Sequence, residues 1–303
     1  MPEKLTIRST FGNDELARVF VAKTKSGKTE RFIEFAESVQ PPIPRDEKWV
    51  IIISSLAGCP VKCPICDANS QPGGRLSKKE ILEQIDYLVV RRFPDRKVTS
   101  RKFKTQFSRM GEPSLNPAVL EVLWELPNLY DAPGLMPCIS TVAPRKGKEF
   151  LEKLIGIKNS HYPNGKFQLQ FSIHSTNEEE RDYLIPFPKW ELSEIAEYGE
   201  RFFEPGDRKI TLNFSPPRGF ELNPRKLRKY FDPPKFFVKL TPINPTRNQA
   251  KNGLVSLIDP TNIRDAEKIA ETFEKEGFET LLSIGELEEN KIGSNCGQFI
   301  TKI

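Results

Sequence analysis

From Trp49 onward, two rhythms of apolar positions alternate along the chain. Short apolar or every-other-residue runs mark strands. Trp49-Val-Ile-Ile-Ile-Ser54 reads as a buried strand, and the strand candidates are 49–54, 102–107, 136–141, 167–173, 209–214 and 236–240, with a last at 279–284. Helical patterns lie between them. Ser77 with Glu80 makes a capping box before a helix carrying Ile81, Leu82, Ile85, Leu88 and Val89 on one face. Asn223 or Pro224 opens a short basic helix, and Thr261 or Asn262 opens another with Ile263, Ala266, Ile269, Ala270 and Phe273 facing inward. Strand–helix alternation predicts parallel strands with right-handed crossovers, hence an α/β fold, and about six units predict a partial, open (β/α)6 barrel over residues 46–303. Residues 1–45 differ. The stretches Leu5-Thr-Ile-Arg-Ser9, Arg18-Val-Phe-Val-Ala22 and Arg31-Phe-Ile-Glu-Phe35, with a turn at Lys25-Ser-Gly27, predict a small antiparallel β extension packed against the barrel.

Chemistry enters with the loop after the first barrel strand. Cys59, Cys63 and Cys66 form Cys-x-x-x-Cys-x-x-Cys. Three thiolates at this spacing can hold three irons of a [4Fe–4S] cluster and leave the fourth open, whereas four would saturate an electron-transfer cluster. A structural zinc site needs four protein ligands, and only Cys138 and Cys296 remain, far along the chain. Zinc binding and three unrelated thiols are the alternatives; spacing and context favour the chemistry of radical S-adenosylmethionine (SAM) enzymes. Five cysteines in 303 residues, three of them in one loop, also suit a reducing compartment rather than a disulfide framework. The N-terminal Met-Pro-Glu-Lys-Leu-Thr has no apolar signal region and no apolar run is long enough to span a bilayer, so a cytoplasmic protein without membrane association is expected. The net charge of +5 is compatible with a nucleic-acid partner without demanding one. The basic stretches Arg101–Lys104, Arg145–Lys148 and Arg225–Lys229 read equally well as solvated surface.

Four further segments end or follow strands, where barrels place their active groups, and a fifth lies near the C-terminus. In Arg109-Met-Gly-Glu-Pro113, Gly111 permits close backbone approach to a ligand and Glu112 offers a carboxylate to an ammonium group such as that of SAM; a simple turn is the alternative. In Cys138-Ile-Ser-Thr141, alternation puts Cys138 and Ser140 on one face, and Cys138 reads foremost as a buried, inert thiol. Ser172 and His174 alternate with Phe171 and Ile173 and offer polar groups to ribose or carboxylate oxygens; on its own, His174 reads as a satisfied core histidine. Asn244 follows the sixth strand and suits a ribose hydroxyl. Cys296, flanked by Gly293 and Gly297, is a nucleophile candidate, with an incidental thiol as the alternative.

Together these residues resemble the RlmN/Cfr family, radical SAM enzymes that methylate an adenine ring carbon in RNA. The resemblance runs from about Leu5 to the end, through the Cys59–Cys66 loop, Met110-Gly-Glu-Pro113, Ser140-Thr141, Ser172-Ile-His174, Pro242-Ile-Asn-Pro245 and Cys296-Gly-Gln298. It implies a radical SAM barrel in which Cys59, Cys63 and Cys66 hold the [4Fe–4S] cluster. Gly111, Glu112, Ser140, Ser172, His174 and Asn244 would bind SAM. Cys296 would carry a methyl group taken from one SAM, and a second SAM would generate the radical that joins this methyl carbon to the substrate as a thioether. Two departures stand out. The family's second cysteine, seven residues before the first cluster cysteine, is Ile52 here, which makes Cys138 a candidate substitute. Only about 45 residues precede the first barrel strand, against a separate accessory domain in the family.

The expectation is a monomeric radical SAM methyltransferase acting on an sp² carbon, in RNA adenine or a smaller heteroaromatic substrate, with a reducing donor such as flavodoxin or ferredoxin. Ile52 favours an alternative, a different hydrogen-abstraction reaction in which Cys296 donates hydrogen or binds substrate. A third reading is a non-catalytic iron–sulfur or RNA-binding protein, against which the retained SAM-binding residues argue.

Overall fold

The computed structural model describes residues 5–26, 29–68 and 74–299. Ten strands form one sheet in chain order: β1 (Thr6–Gly12), β2 (Ala17–Ser26), β3 (Thr29–Ser38), β4 (Lys48–Ile53), β5 (Lys102–Phe107), β6 (Leu135–Thr141), β7 (Gln168–Ser172), β8 (Ile210–Phe214), β9 (Phe236–Leu240) and β10 (Thr280–Leu282). The pairs from β4 to β10 are parallel. Helices α1 (Lys78–Arg92), α2 (Ala118–Leu129) and α3 (Lys148–His161) return the chain between β4 and β7, and α4 (Glu178–Leu184) and α5 (Leu192–Phe202) lead to β8. The short α6 (Pro224–Arg228) precedes β9, α7 (Arg247–Lys251) and α8 (Arg264–Lys275) precede β10, and α9 (Leu287–Ile292) follows it. The result is a mixed α/β partial barrel whose edges, β1 and β10, are not paired with each other.

Each barrel strand shows why. In β4 the residues Trp49, Ile51 and Ile53 are buried in one core with Ile81, Ile85, Leu88 and Val89 of α1. Their alternates Lys48, Val50 and Ile52 are half-buried on the opposite, helix-free face. The same two-residue period holds in β5, with Phe103 and Phe107 outward and Lys102, Lys104 and Gln106 inward, and in β9, with Phe237 and Lys239 inward. The sheet curls around that inner face. Lys104 and Lys239 stand four strands apart, about 19 Å along a flat sheet, yet they feel one another's charge.

The expected antiparallel N-terminal extension is present, and it joins the barrel's sheet edge-on, β3 pairing antiparallel with β4 through Ala36–Ile52, Glu37–Ile51 and Ser38–Val50. The cause is a shared cover: Tyr87 of α1 meets Phe20 and Phe35 edge-on, so one helix closes the core over both parts. Ile263 is not inward-facing but exposed, because α8 starts one residue after it, while Ala266, Ala270 and Phe273 are buried as expected. The capping box at Ser77 is present, as is the Asn223 cap with Pro224 in the first turn of α6. The expected turn at Lys25-Ser-Gly27 lies partly outside the described residues.

Candidate active site

The three cysteines sit half-buried in the loop that leaves β4. Main-chain bonds shape this loop: Cys59 N donates to Ala68 O at 2.9 Å and Cys66 N to Cys63 O at 3.1 Å. Amides also point at sulfur, those of Val61 and Lys62 at Cys59 Sγ and that of Ala68 at Cys66 Sγ, 3.4 Å away. Burial raises every one of these thiols, Cys59 to about 12. Cys63 is raised also by the proximity of Cys66, Cys59, Glu112 and Cys296. Soft sulfur donors crowded in this way suit a positively charged metal cluster that would hold them as thiolates. Among the described residues no three His, Cys, Asp or Glu side chains converge on a single ion. The thiols are instead spread around one loop, as ligands of separate irons are.

The cluster loop is stitched to two distant segments. Asp67 accepts from the amides of Arg247 and Asn248, both at 2.9 Å, at the start of α7. In return Thr246 Oγ1, Asn248 Nδ2 and Asn252 Nδ2 donate to the carbonyls of Ile65, Cys66 and Pro64. Asp67 N donates to Gly297 O at 2.8 Å, which docks the Cys296 loop on the cysteine loop.

Gly111 has a φ of 93°, and a Cβ there would lie 2.5 Å from Leu56 side-chain atoms and 2.9 Å from Leu56 N. Glu112 is 4% exposed. Its Oε1 accepts from Ser114 N, Ser114 Oγ and Thr141 Oγ1, and its Oε2 from Val142 N at 2.9 Å. Burial raises this carboxyl while those donors oppose the rise. Glu112 therefore joins the ends of β5 and β6, and with four donors placed, only Oε2 keeps acceptor capacity for a ligand ammonium.

Ser140 Oγ and Asn213 Oδ1 are buried without a partner, and Asn213 lies in register beside Ser172. Orphaned polar atoms on an inner face are what a polar ligand satisfies. His174 is buried with a left-handed φ of 67°. Its Nδ1 accepts from Ser215 N at 3.1 Å, so the proton of the neutral ring belongs on Nε2, which becomes a donor. Burial, then Arg181, lowers its pKa to about 4. Asn244 Nδ2 donates to Cys296 O at 2.9 Å.

Cys296 itself is solvent-exposed. Its loop hangs on Arg109, whose guanidinium donates to the carbonyls of Gly293 (2.7 Å), Ser294 (3.1 Å) and Asn295 (3.3 Å) and pairs with Glu34 at 2.5 Å. Cys296 keeps exposed surface, but protein packed around its thiol raises that group, and Lys239 and Arg109 oppose the rise. Cys138 does not join this group. It is fully buried on β6, level with Gln106 of β5 and Ile52 of β4 on the inner face. Sequence reasoning missed Arg109, Glu34, Asp67 and the amides of α7. Arg109 and Asp67 lie in or beside motifs that were singled out; Glu34 is an ordinary polar position of a strand, and main-chain amides leave no side-chain pattern.

No family model matches the chain. It is 30% identical over 216 residues to a probable dual-specificity RNA methyltransferase RlmN from Mycolicibacterium vanbaalenii, covering 66% of this chain and 55% of that protein. It is 27% identical over 219 residues to one of the same name from Thermosynechococcus vestitus, covering 69% and 59%. The chain thus spans little more than half the length of these curated relatives. Among solved structures, a radical SAM methyltransferase from Sphaerobacter thermophilus superposes with a TM-score of 0.73 at 19% identity, over 97% of this chain and 80% of that one. Streptococcus suis SuiB bound to S-adenosylmethionine gives 0.53 at 14% identity, over 77% and 49%.

Proposed function

We infer that this chain, RlmN/Cfr-like radical SAM in sequence and fold, is a radical SAM methyltransferase that uses Cys296 as a methyl carrier to modify an sp² carbon of RNA adenine or of a smaller heteroaromatic molecule. Cys59, Cys63 and Cys66 would hold a [4Fe–4S] cluster, which when bound supplies the electron that cleaves SAM. The observation that carries the reading is the docking of the Cys296 loop on the cysteine loop through Asp67 N and Gly297 O at 2.8 Å. A carrier sulfur has to reach the place where SAM is activated, and a contact between the two loops supports that reading.

The chain's own groups take distinct parts. Gly111 brings backbone close to the cofactor, and Glu112 Oε2 accepts from its ammonium. His174 Nε2–H donates to an oxygen, and Ser140 and Ser172 line the inner face beside it. Asn244 and Arg109 hold the main chain on either side of the Cys296 sulfur, which loses its thiol proton on accepting a methyl group.

Mass spectrometry of the Cys296 peptide tests this, after anaerobic cluster reconstitution and incubation with SAM. One added methyl on Cys296 is expected. An unmodified Cys296 in protein that still makes 5′-deoxyadenosine would remove the carrier role. Ile52 on the inner face favours that second reading, a different hydrogen abstraction with Cys296 as hydrogen donor or substrate ligand.

A further inference from the structure

Below the catalytic end of the barrel, the inner face carries cations that nothing in the reading above uses. Lys48 and Lys102 are directly paired across β4 and β5, and Lys104 is the next inward residue of β5. Arg208 stands at the rim before β8, and Lys239 points inward from β9. The four lysines are half-buried. Lys48 feels Lys104 and Arg208, Lys102 feels Arg208, Lys48 and Lys104, and Lys239 feels Lys104 and Lys48. No carboxylate is among the charged groups acting on these three. Among the described residues Lys48 meets only the Gln40 amide, and the side chains of Lys102, Lys104, Lys239 and Arg208 have no ion-pair partner.

In the other basic stretches Arg145 pairs with Glu194, Arg225 with Glu276, Lys226 with Glu221 and Arg228 with Asp232. The remaining lysines of those stretches, Lys146, Lys148 and Lys229, are exposed. The inner-face lysines differ in being half-buried on a concave sheet, where partial dehydration strengthens both their mutual repulsion and their attraction for an anion.

We propose that Lys48, Lys102 and Lys104, with Arg208 at the rim, form a binding site for the phosphoryl group of a small phosphorylated substrate on the inner face of the barrel. The reactive end of that substrate would extend toward Cys296. Lys104 lies two residues below Gln106, about 7 Å along the strand, and Gln106 is level with Cys138. Lys239, on the same inner face, feels Lys104 and Lys48 on one side and Cys138 and Cys296 on the other. The assignment rests on the methyltransferase reading for the direction of the substrate, but the anion site is measurable without turnover.

The experiment is calorimetric titration of the anaerobically reconstituted protein, its cofactor site filled with S-adenosylhomocysteine, with AMP, inorganic pyrophosphate, adenosine and a 20-nucleotide RNA. AMP and pyrophosphate are expected to bind, adenosine at least 10-fold more weakly, and AMP affinity should fall at least 10-fold in K102Q/K104Q. Because that variant relieves repulsion between like charges, its unliganded Tm should equal or exceed that of the parent, which separates lost binding from lost folding. Binding of RNA alone, equal AMP affinity in the variant, or no binding of any phosphate would overturn the assignment. Methylated Cys296 without AMP or pyrophosphate binding would overturn this site and leave the methyltransferase reading; AMP binding with an unmodified Cys296 would do the reverse.

Discussion

Arg109 and Glu34 form a buried ion pair at 2.5 Å that joins the segment after β5 to a strand of the N-terminal extension. The same guanidinium holds three consecutive carbonyls, those of Gly293, Ser294 and Asn295, just ahead of Cys296. One side chain thus ties the start of the chain, the middle and the reactive loop together. Arg109→Met would leave the Glu34 charge buried without its guanidinium, a loss of about 3–5 kcal/mol. Arg109→Lys would keep the charge but not the fork that spans three acceptors. Chemical denaturation should therefore rank wild type above Lys and Lys above Met. Proteolysis should cut the 293–298 loop faster in both variants.

Asp67 accepts two amides at the start of α7 while its own amide holds the Cys296 loop. Asp67→Ala removes both acceptors, at a cost of about 1 kcal/mol as for a lost helix cap. The larger consequence falls on the cysteine loop. Iron and sulfide bound after anaerobic reconstitution should drop, and Asp67→Asn, which keeps one oxygen acceptor, should retain more of both. Equal iron content in the alanine variant would show that the loop shapes itself without α7.

These contacts also show what a sequence withholds. Strands β4, β5 and β9 were legible because each buries one alternating face, as Trp49, Ile51 and Ile53 do under α1, and β6 and β8 because they are short, almost wholly buried runs. The cysteine loop was legible because its spacing is local. The stitching of the loop was not, since Thr246, Asn248 and Asn252 donate to carbonyls about 180 residues away, and a carbonyl has no residue identity. Asn244 shows the intermediate case: its place after β9 was read correctly, but its amide holds Cys296 O. The edge-on joining of the N-terminal strands was hidden too, because alternation reveals a strand but not which edge it seeks.

Gly111 should tolerate no side chain. Gly111→Ala combines a left-handed φ with contacts of 2.5 Å to Leu56 side-chain atoms and 2.9 Å to its amide. Strain of about 1–3 kcal/mol is expected. Trimming the neighbour in G111A/L56A relieves only the side-chain clash, so neither stability nor SAM affinity should return to that of L56A alone. Equilibrium binding of SAM, followed beside thermal unfolding, checks both.

His174 supplies a pH signature. Its folded pKa of about 4 lies below the ordinary histidine value of 6.5. Between these values the unfolded chain binds the proton and the folded one does not, so stability is present above pH 6.5 and lost as pH falls toward 4, by up to ~3 kcal/mol. Below pH 4 this contribution is flat. The stability difference between wild type and His174→Gln, taken from denaturation midpoints at pH 7.5 and pH 5, should therefore shrink at the lower pH. A difference that stays constant would mean that the ring does not stay neutral in the folded protein.

Ile52, Gln106 and Cys138 are in register across three adjacent strands, with Cys138 about 10 Å from Ile52 on the inner face. In the methyl-carrier reading, a second thiol is needed only after a thioether to substrate has formed, and Cys138 is the remaining thiol on this face. Methylation of Cys296 comes earlier, so Cys138→Ala should leave the methyl mark in place. It should instead trap substrate on Cys296, as an added mass on that peptide in protein isolated from cells. Placing a thiol at the other end of the row, in the double variant I52C/C138A, should release the trapped adduct. If Cys138→Ala carries no adduct and loses only the stability expected of a small core truncation, Cys138 is a packing residue. The one-SAM reaction, with Cys296 as hydrogen donor or substrate ligand, would then gain ground.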